Sequence, residues 1–126
     1  MMDLRIGLSP LLLMKVDTLL GVMNTLGYPM RICQGVRTVA QQATLYAQGR
    51  TTPGKIVTNC DGVHIKSNHQ PRPDGFGYAV DCCFSGKPDP FALYLPWRLY
   101  GEAGKALGLR WGGEFKLVDL DHLEMV

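Results

Sequence analysis

Ser67-Asn68-His69-Gln70-Pro71-Arg72-Pro73-Asp74-Gly75-Phe76-Gly77-Tyr78-Ala79-Val80-Asp81 joins a polar, turn-rich loop to a short apolar run that closes on a carboxylate. The apolar character continues through Cys82-Cys83-Phe84, so residues 77–84 read as a strand apolar enough to be central in a sheet. The loop brings an imidazole, His69, and the strand brings Asp81; nitrogen and carboxylate oxygen of this kind are both good ligands for Zn²⁺. At the far end of the chain Asp119-Leu120-Asp121-His122-Leu123-Glu124 supplies another imidazole among acids. Two imidazoles and one carboxylate leave the fourth tetrahedral position open for water, the arrangement of catalytic rather than structural zinc sites.

Working outward from that stretch, Ser9-Pro10 reads as an N-cap followed by the favoured first-turn proline. Leu12, Val16, Leu19, Leu20 and Met23 share one helical face, which predicts a helix over residues 10–26 that stops at Gly27. Residues 28–36 alternate as a strand and deliver Arg37 at its end. Thr38-Val39-Ala40-Gln41 is a capping box, so a second helix starts right after Arg37 and runs to about residue 48. Residues 56–58 are expected as a short strand and residues 59–70 as loop. On the other side, residues 85–90 are a turn cluster, residues 97–107 a helix ended by Gly108, and Arg110-Trp111 the start of a hairpin turning near Gly112-Gly113. A strand through residues 122–125 finishes the chain. The pattern predicts an α+β fold, a small antiparallel sheet packed with helices, in a single domain over residues 1–126.

The bulk properties are those of a globular chain: 126 residues, 46% apolar, 19% charged. A net charge of +2 with scattered basic residues gives no nucleic-acid stripe. The four cysteines, Cys33, Cys60, Cys82 and Cys83, contain no CxxC pair and form no dense framework, so reduced thiols and synthesis in a cytoplasm are expected. The apolar run at residues 11–14 is interrupted by Lys15 and Asp17, too short to span a membrane, and no small-residue cleavage site follows it.

Taken singly, His64, His69 and His122 are ordinary histidines. His69 with Asp81, and His122 with Asp119, each sit at a loop–strand junction, where sites are usually built. If His122 binds a metal, an acid three residues earlier reaches the water at that metal and can take its proton, then pass it to a leaving amine. Asp121 reads as a turn acid, but spacing alone leaves Asp119 against Asp121 close to even. Arg37 is either a surface arginine or a charge aimed at a developing oxyanion or a substrate carboxylate, a role open equally to Lys55, Lys66 or Arg72. Trp97 and Trp111 read as packing residues.

These residues, in order, resemble the zinc peptidases of bacterial cell-wall peptides, the D-Ala-D-Ala carboxypeptidase and L-alanyl-D-glutamate endopeptidase family, with the small phage endolysins and autolysins nearest. Arg37 and Gln41 or Gln42 precede Leu45-Tyr46-Ala47-Gln48-Gly49-Arg50-Thr51, Pro53-Gly54, Ser67-Asn68-His69, Gly77-Tyr78-Ala79-Val80-Asp81, Trp111-Gly112-Gly113 and Asp119-Leu120-Asp121-His122. The resemblance implies a hedgehog-like peptidase fold, Zn²⁺ on His69, Asp81 and His122, Asp119 as general base and Arg37 steadying the polarised carbonyl. It favours Asp119 over Asp121, and places Ser67 as a support for His69 and Glu124 behind the ligands. It implies a peptidoglycan stem peptide as partner, cut at the L-Ala–D-Glu bond, with no nucleic acid, no membrane insertion and a monomeric enzyme. Its alternatives are a D-Ala-D-Ala carboxypeptidase or dipeptidase, and a non-catalytic zinc-binding module of a wall or phage structure. A cytoplasmic protein without signal peptide, reaching the wall by phage-type export and causing bacteriolysis, fits the same resemblance. One departure stands beside the metal: seven residues, 70–76, separate His69 from Gly77 where the family pattern has two. This insertion admits Asp74 as a rival ligand, although Asp74-Gly75 reads as a turn and Asp81 as a strand residue.

Overall fold

The computed structural model describes residues 3–126. Helix α1, Pro10–Thr25, starts where the Ser9 side chain accepts the Leu12 N–H and ends as Gly27 takes a positive φ. Helix α2, Val39–Ala47, carries the expected capping box, with Thr38 and Gln41 bonding each other's backbone N–H groups. Helix α3 is Trp97–Ala106.

Four strands, β1 Met30–Gln34, β2 Ala79–Phe84, β3 Arg110–Trp111 and β4 His122–Glu124, form one antiparallel sheet in the order β1-β2-β4-β3. β2 is central and buried along its whole length. Its register with β1 and β4 sorts the residues onto two faces. Val80, Cys82 and Phe84 share one face with Leu123, Met30 and Ile32, and pack under α1 and α3 against Leu12, Val16, Leu19, Met23, Trp97 and Tyr100. The glycines of α3 permit this: a methyl at Gly104 or Gly101 would overlap Leu123 or the Trp111 ring. The second face carries Asp81 beside His122, and Glu124 opposite Ala79.

Three boundaries differ from the sequence expectation. Residues 56–58 form no strand, because their neighbourhood is bonded by side chains instead: Gln48 donates to the Lys55 carbonyl and Arg50 to that of Thr58. β1 is shorter than residues 28–36, since the ladder slips between Ile32 and Gln34 and the Leu4 carbonyl lies against Gly35. No tight hairpin turns at Gly112-Gly113; a 3-10 turn over Gly112–Glu114 opens a longer loop, closed by the Gly112 carbonyl accepting from both Phe115 and Asp119. Both Trp97 and Trp111 are buried packing residues, and all four cysteines are free. Among the described residues no helix is long and apolar enough to cross a membrane.

Candidate active site

Asp81 and His122 face each other as direct partners of β2 and β4, which puts both side chains on the same face of the sheet. His69 reaches them from the loop. Its backbone is held on three sides: its N–H donates to Ser67 Oγ at 3.1 Å, its carbonyl accepts Arg37 N–H at 2.8 Å, and the neighbouring Asn68 carbonyl accepts Tyr78 N–H at 2.9 Å. Gly77 lets the loop close there, because a Cβ would crowd Val36 and the His69 carbonyl at 3.0 and 3.3 Å. Ser67 thus caps the His69 backbone N–H.

The result is a triangle. His69 Nε2 lies 3.2 Å from His122 Nδ1 and 3.2 Å from Asp81 Oδ1, and His122 Nδ1 lies 3.4 Å from the same oxygen. Ligand atoms at about 2.0–2.1 Å on a tetrahedral zinc are separated by about 3.3–3.4 Å. The donor set passes a second check as well. Asp81 Oδ1 is buried without a hydrogen-bond partner, and a cation in the triangle would satisfy it.

Each imidazole is turned by its other nitrogen. His69 Nδ1–H donates to the Gly35 carbonyl at 2.8 Å, and His122 Nε2–H donates to Glu124 Oε1 at 2.7 Å. Both remaining lone pairs point into the triangle, the tautomers a metal needs. Glu124 thus stands on the far side of the His122 ring from Asp81.

The charges agree with this arrangement. Burial disfavours the Asp81 carboxylate, but the adjoining His122 and His69 imidazoles outweigh it and hold its pKa below the ordinary range. Burial also opposes charge on His122, yet Asp81 and Glu124 carry its pKa up to about 9. Arg37 is buried, with Nη2 3.4 Å from Asp81 Oδ2 and 2.9 Å from Gln34 Oε1, and Nη1 3.0 Å from Gln42 Oε1. Of its sequence rivals, Lys66 lines the groove rim, while Arg72 is tied to Asn68 and Met125 elsewhere.

Asp119 Oδ2 is 3.8 Å from His122 Nδ1, and its side chain is 44% exposed, so it meets both the triangle and the solvent. Gly112 fixes it by accepting the Asp119 N–H. Asp121, expected as a turn acid, is drawn in too, with carboxylate oxygens of Asp81, Asp119 and Asp121 all within 4.8 Å of one another. Burial first, then the hydrogen bond with Asp119 and the charge of Asp81, push the Asp121 carboxyl up to about 9. Asp74 is excluded from the cluster: its carboxylate accepts from Phe76 N–H and the Tyr78 hydroxyl on the protein surface.

A groove of about 500 Å³ opens over the triangle, walled by Leu45, Val57, Thr58, Lys66, Phe115 and Leu117. Sequence reasoning missed Gln34, Gly35, Asn68 and Phe115. The Gln34-Gly35 break in the strand pattern was the only visible sign of the first two.

No family model matches the chain. It is 30% identical over 130 residues to the peptidoglycan L-alanyl-D-glutamate endopeptidase CwlK of Bacillus subtilis (strain 168), covering 94% of this chain and 74% of that protein. The fold matches the crystal structure of the Serratia marcescens L-Ala D-Glu endopeptidase ChiX with a TM-score of 0.57 and 22% identity, over 98% of this chain and 84% of that one. It also matches the vancomycin-resistance D,D-pentapeptidase VanY, an E175A mutant in complex with Zn(II), with a TM-score of 0.66 and 15% identity, over 94% of this chain and 72% of that one. The match to the Bacillus relative spans nearly the whole chain, and on it this chain belongs to the zinc D-Ala-D-Ala carboxypeptidase and L-alanyl-D-glutamate endopeptidase family.

Proposed function

We propose that this chain is a zinc-dependent peptidoglycan peptidase that hydrolyses the L-Ala–D-Glu bond of the stem peptide, with zinc held by His69, Asp81 and His122. The observation that carries the reading is the triangle of three buried ligand atoms, 3.2–3.4 Å apart, at the floor of an open groove. Bound zinc supplies Lewis acidity, polarising a carbonyl and lowering the pKa of water.

The chain's own residues supply the rest. Asp119, half exposed beside His122 Nδ1, takes the proton of the attacking water and returns it to the leaving amine. Asp121 lies beside it, its carboxylate oxygen within 4.8 Å of those of Asp119 and Asp81. Arg37 holds Asp81 in place and lends positive charge on the side where the carbonyl oxygen becomes anionic. Gln42, fully buried, fixes the Arg37 fork while donating to Thr58 Oγ1 and the Cys60 carbonyl.

The assignment of the bond rests on the Bacillus relative and on the motif order. The same reading makes the protein a monomer whose action lyses cells, in the manner of a phage or prophage endolysin. Mass spectrometry of products from defined muropeptides tests it. Release of fragments cut between L-Ala and D-Glu supports the proposal; loss of terminal D-Ala alone makes the chain a D-Ala-D-Ala carboxypeptidase instead. Asp119→Ala should keep zinc and lose cleavage by a factor of about 10²–10⁴, while His122→Ala should lose both. Full activity in Asp119→Ala removes the proposed base.

A further inference from the structure

Residues 70–76, the insertion beside the metal ligand, form a closed turn in which Arg72 N–H donates to the Phe76 carbonyl and Gly75 N–H to that of Arg72, at 2.9 and 2.8 Å. None of residues 71–76 lines the groove. The cation of the turn nevertheless leads back to the site. The Arg72 guanidinium lies over the Tyr78 ring, 3.9 Å from its centroid, and its Nη2 donates to the Met125 carbonyl and to Asn68 Oδ1, each at 3.2 Å. Asn68 Nδ2 then donates to Glu124 Oε2 at 2.8 Å, and Glu124 Oε1 accepts His122 Nε2–H at 2.7 Å.

We infer that Arg72 is a positioning residue for His122, acting through Asn68 and Glu124. The inference rests on the reading of His122 as a zinc ligand. An ionised carboxylate only accepts hydrogen bonds, so Glu124 needs the NH₂ end of Asn68. An amide in the opposite orientation would set oxygen against oxygen. A donor on Asn68 Oδ1 selects the correct orientation, and Arg72 is that donor. Stacking on Tyr78 and the bond to Met125 keep the guanidinium plane fixed, a geometry a lysine lacks. With both Glu124 oxygens engaged, the His122 ring is pinned with Nδ1 toward His69 and Asp81.

The test is zinc affinity, measured by competition with a chromophoric chelator, in parent and variants. Loss of partners behind metal-bound histidines typically weakens binding about 10- to 100-fold; Arg72→Ala and Asn68→Ala should fall near the lower end, about 10-fold. Arg72→Lys should stay close to Arg72→Ala. Asp74→Ala, which breaks bonds only inside the insertion and to Tyr78, should leave affinity within about twofold. In a Glu124→Gln background, Arg72→Ala should add less than about twofold, because the link it acts through is already altered. Parent affinity in Arg72→Ala overturns the proposal, and so does an equal loss in Asp74→Ala, which would make the insertion a bulk support. If Arg72→Ala does not fold, Asn68→Ala reads the same link with the Arg72–Tyr78 stack in place. A parent that takes up no zinc refutes the metal reading itself. The His122 Nε2–H proton resonance then decides the positioning role alone: sharp in the parent, it should broaden by exchange in Arg72→Ala, and a sharp signal there overturns the proposal.

Discussion

The two faces of β2 are made from one run of six buried residues and do opposite things. Val80, Cys82 and Phe84 face α1 and α3, where the neighbours are hydrophobic side chains and shape decides the energy. Ala79, Asp81 and Cys83 face the other way, where Asp81 meets two imidazoles and a guanidinium. Burial stabilises the first face directly. On the second face it has a cost, because a buried carboxylate must be compensated by cations and donors. The lesson is that a central strand can keep a charge in the middle of a domain when its neighbours supply the compensation in register.

The comparison breaks most sharply at Asp81. Asp81→Asn removes one ligand charge while keeping the shape of the strand. Zinc uptake and cleavage should both fall to background, and the melting temperature should stop responding to zinc, since ligand-linked stabilisation needs a site. Cleavage at parental rates in this variant would mean that Asp81 is no ligand. Next comes Phe84, 1% exposed and edge-on to Trp97 at 4.8 Å between centroids. Phe84→Ala should cost about 3–5 kcal/mol of unfolding free energy in denaturant titrations, yet the surviving folded fraction should bind zinc as the parent does. One variant loses function and keeps the fold; the other loses stability and keeps the site.

The apolar face was the more legible of the two. Helical spacing of Leu12, Val16, Leu19 and Met23 marked the core side of α1, and the Thr38–Gln41 capping box marked the start of α2 to the residue. Those signals are local, carried by periodicity and caps. The strands at residues 56–58 and the hairpin at Gly112-Gly113 failed for the complementary reason. Side chains of the turn just upstream, Gln48 and Arg50, bonded backbone carbonyls there, and the Gly112 carbonyl took two donors instead of closing a two-residue turn. The site was legible as residue types in order, His69, Asp81, Asp119, His122 and Glu124. Its geometry was not, because Gln34, Asn68 and Asp121 act only through β1–β2 and β2–β4 register and a loop contact that no spacing displays.

The polar face also gives the metal-free protein a pH dependence that the apolar face cannot. His122 moves from 6.5 unfolded to about 9 folded, raised by Asp81 and Glu124 against the cost of burial. Asp121 moves from 3.8 to about 9, raised by burial and then by Asp119. In both cases the folded chain holds the proton more tightly than the unfolded one. The His122 contribution is complete below pH 6.5 and is lost as pH rises through about 9; the Asp121 contribution is complete below pH 3.8 and declines from there up to about 9. Chelator-treated protein should therefore lose stability between pH 6.5 and 9 in thermal melts. Zinc-loaded protein should lose less, because the metal takes the His122 lone pair and the proton no longer matters there. Identical slopes with and without zinc would place the metal away from His122.

The smallest contrast uses one hydrogen-bond type on the two sides of the sheet. Ser9 Oγ accepts the Leu12 N–H under the core, and Thr38 Oγ1 accepts the Gln41 N–H next to Arg37. Each cap is worth about 1 kcal/mol, so Ser9→Ala and Thr38→Ala should destabilise the protein to a similar, small extent. Their effects on catalysis should differ. Ser9 supports a helix whose buried side touches only apolar residues, and its loss leaves the folded enzyme's rate unchanged. Thr38 begins the turn that carries Gln42 against the Arg37 guanidinium. Fraying there loosens the cation beside Asp81, and Thr38→Ala should slow turnover by a factor of about 3 to 10 at unchanged zinc affinity, since small misplacements of a charge-stabilising group are felt in the rate. Equal rates in the two variants would show that Arg37 is held by Gln34 and Asp81 alone, and that the start of α2 belongs energetically to the scaffold.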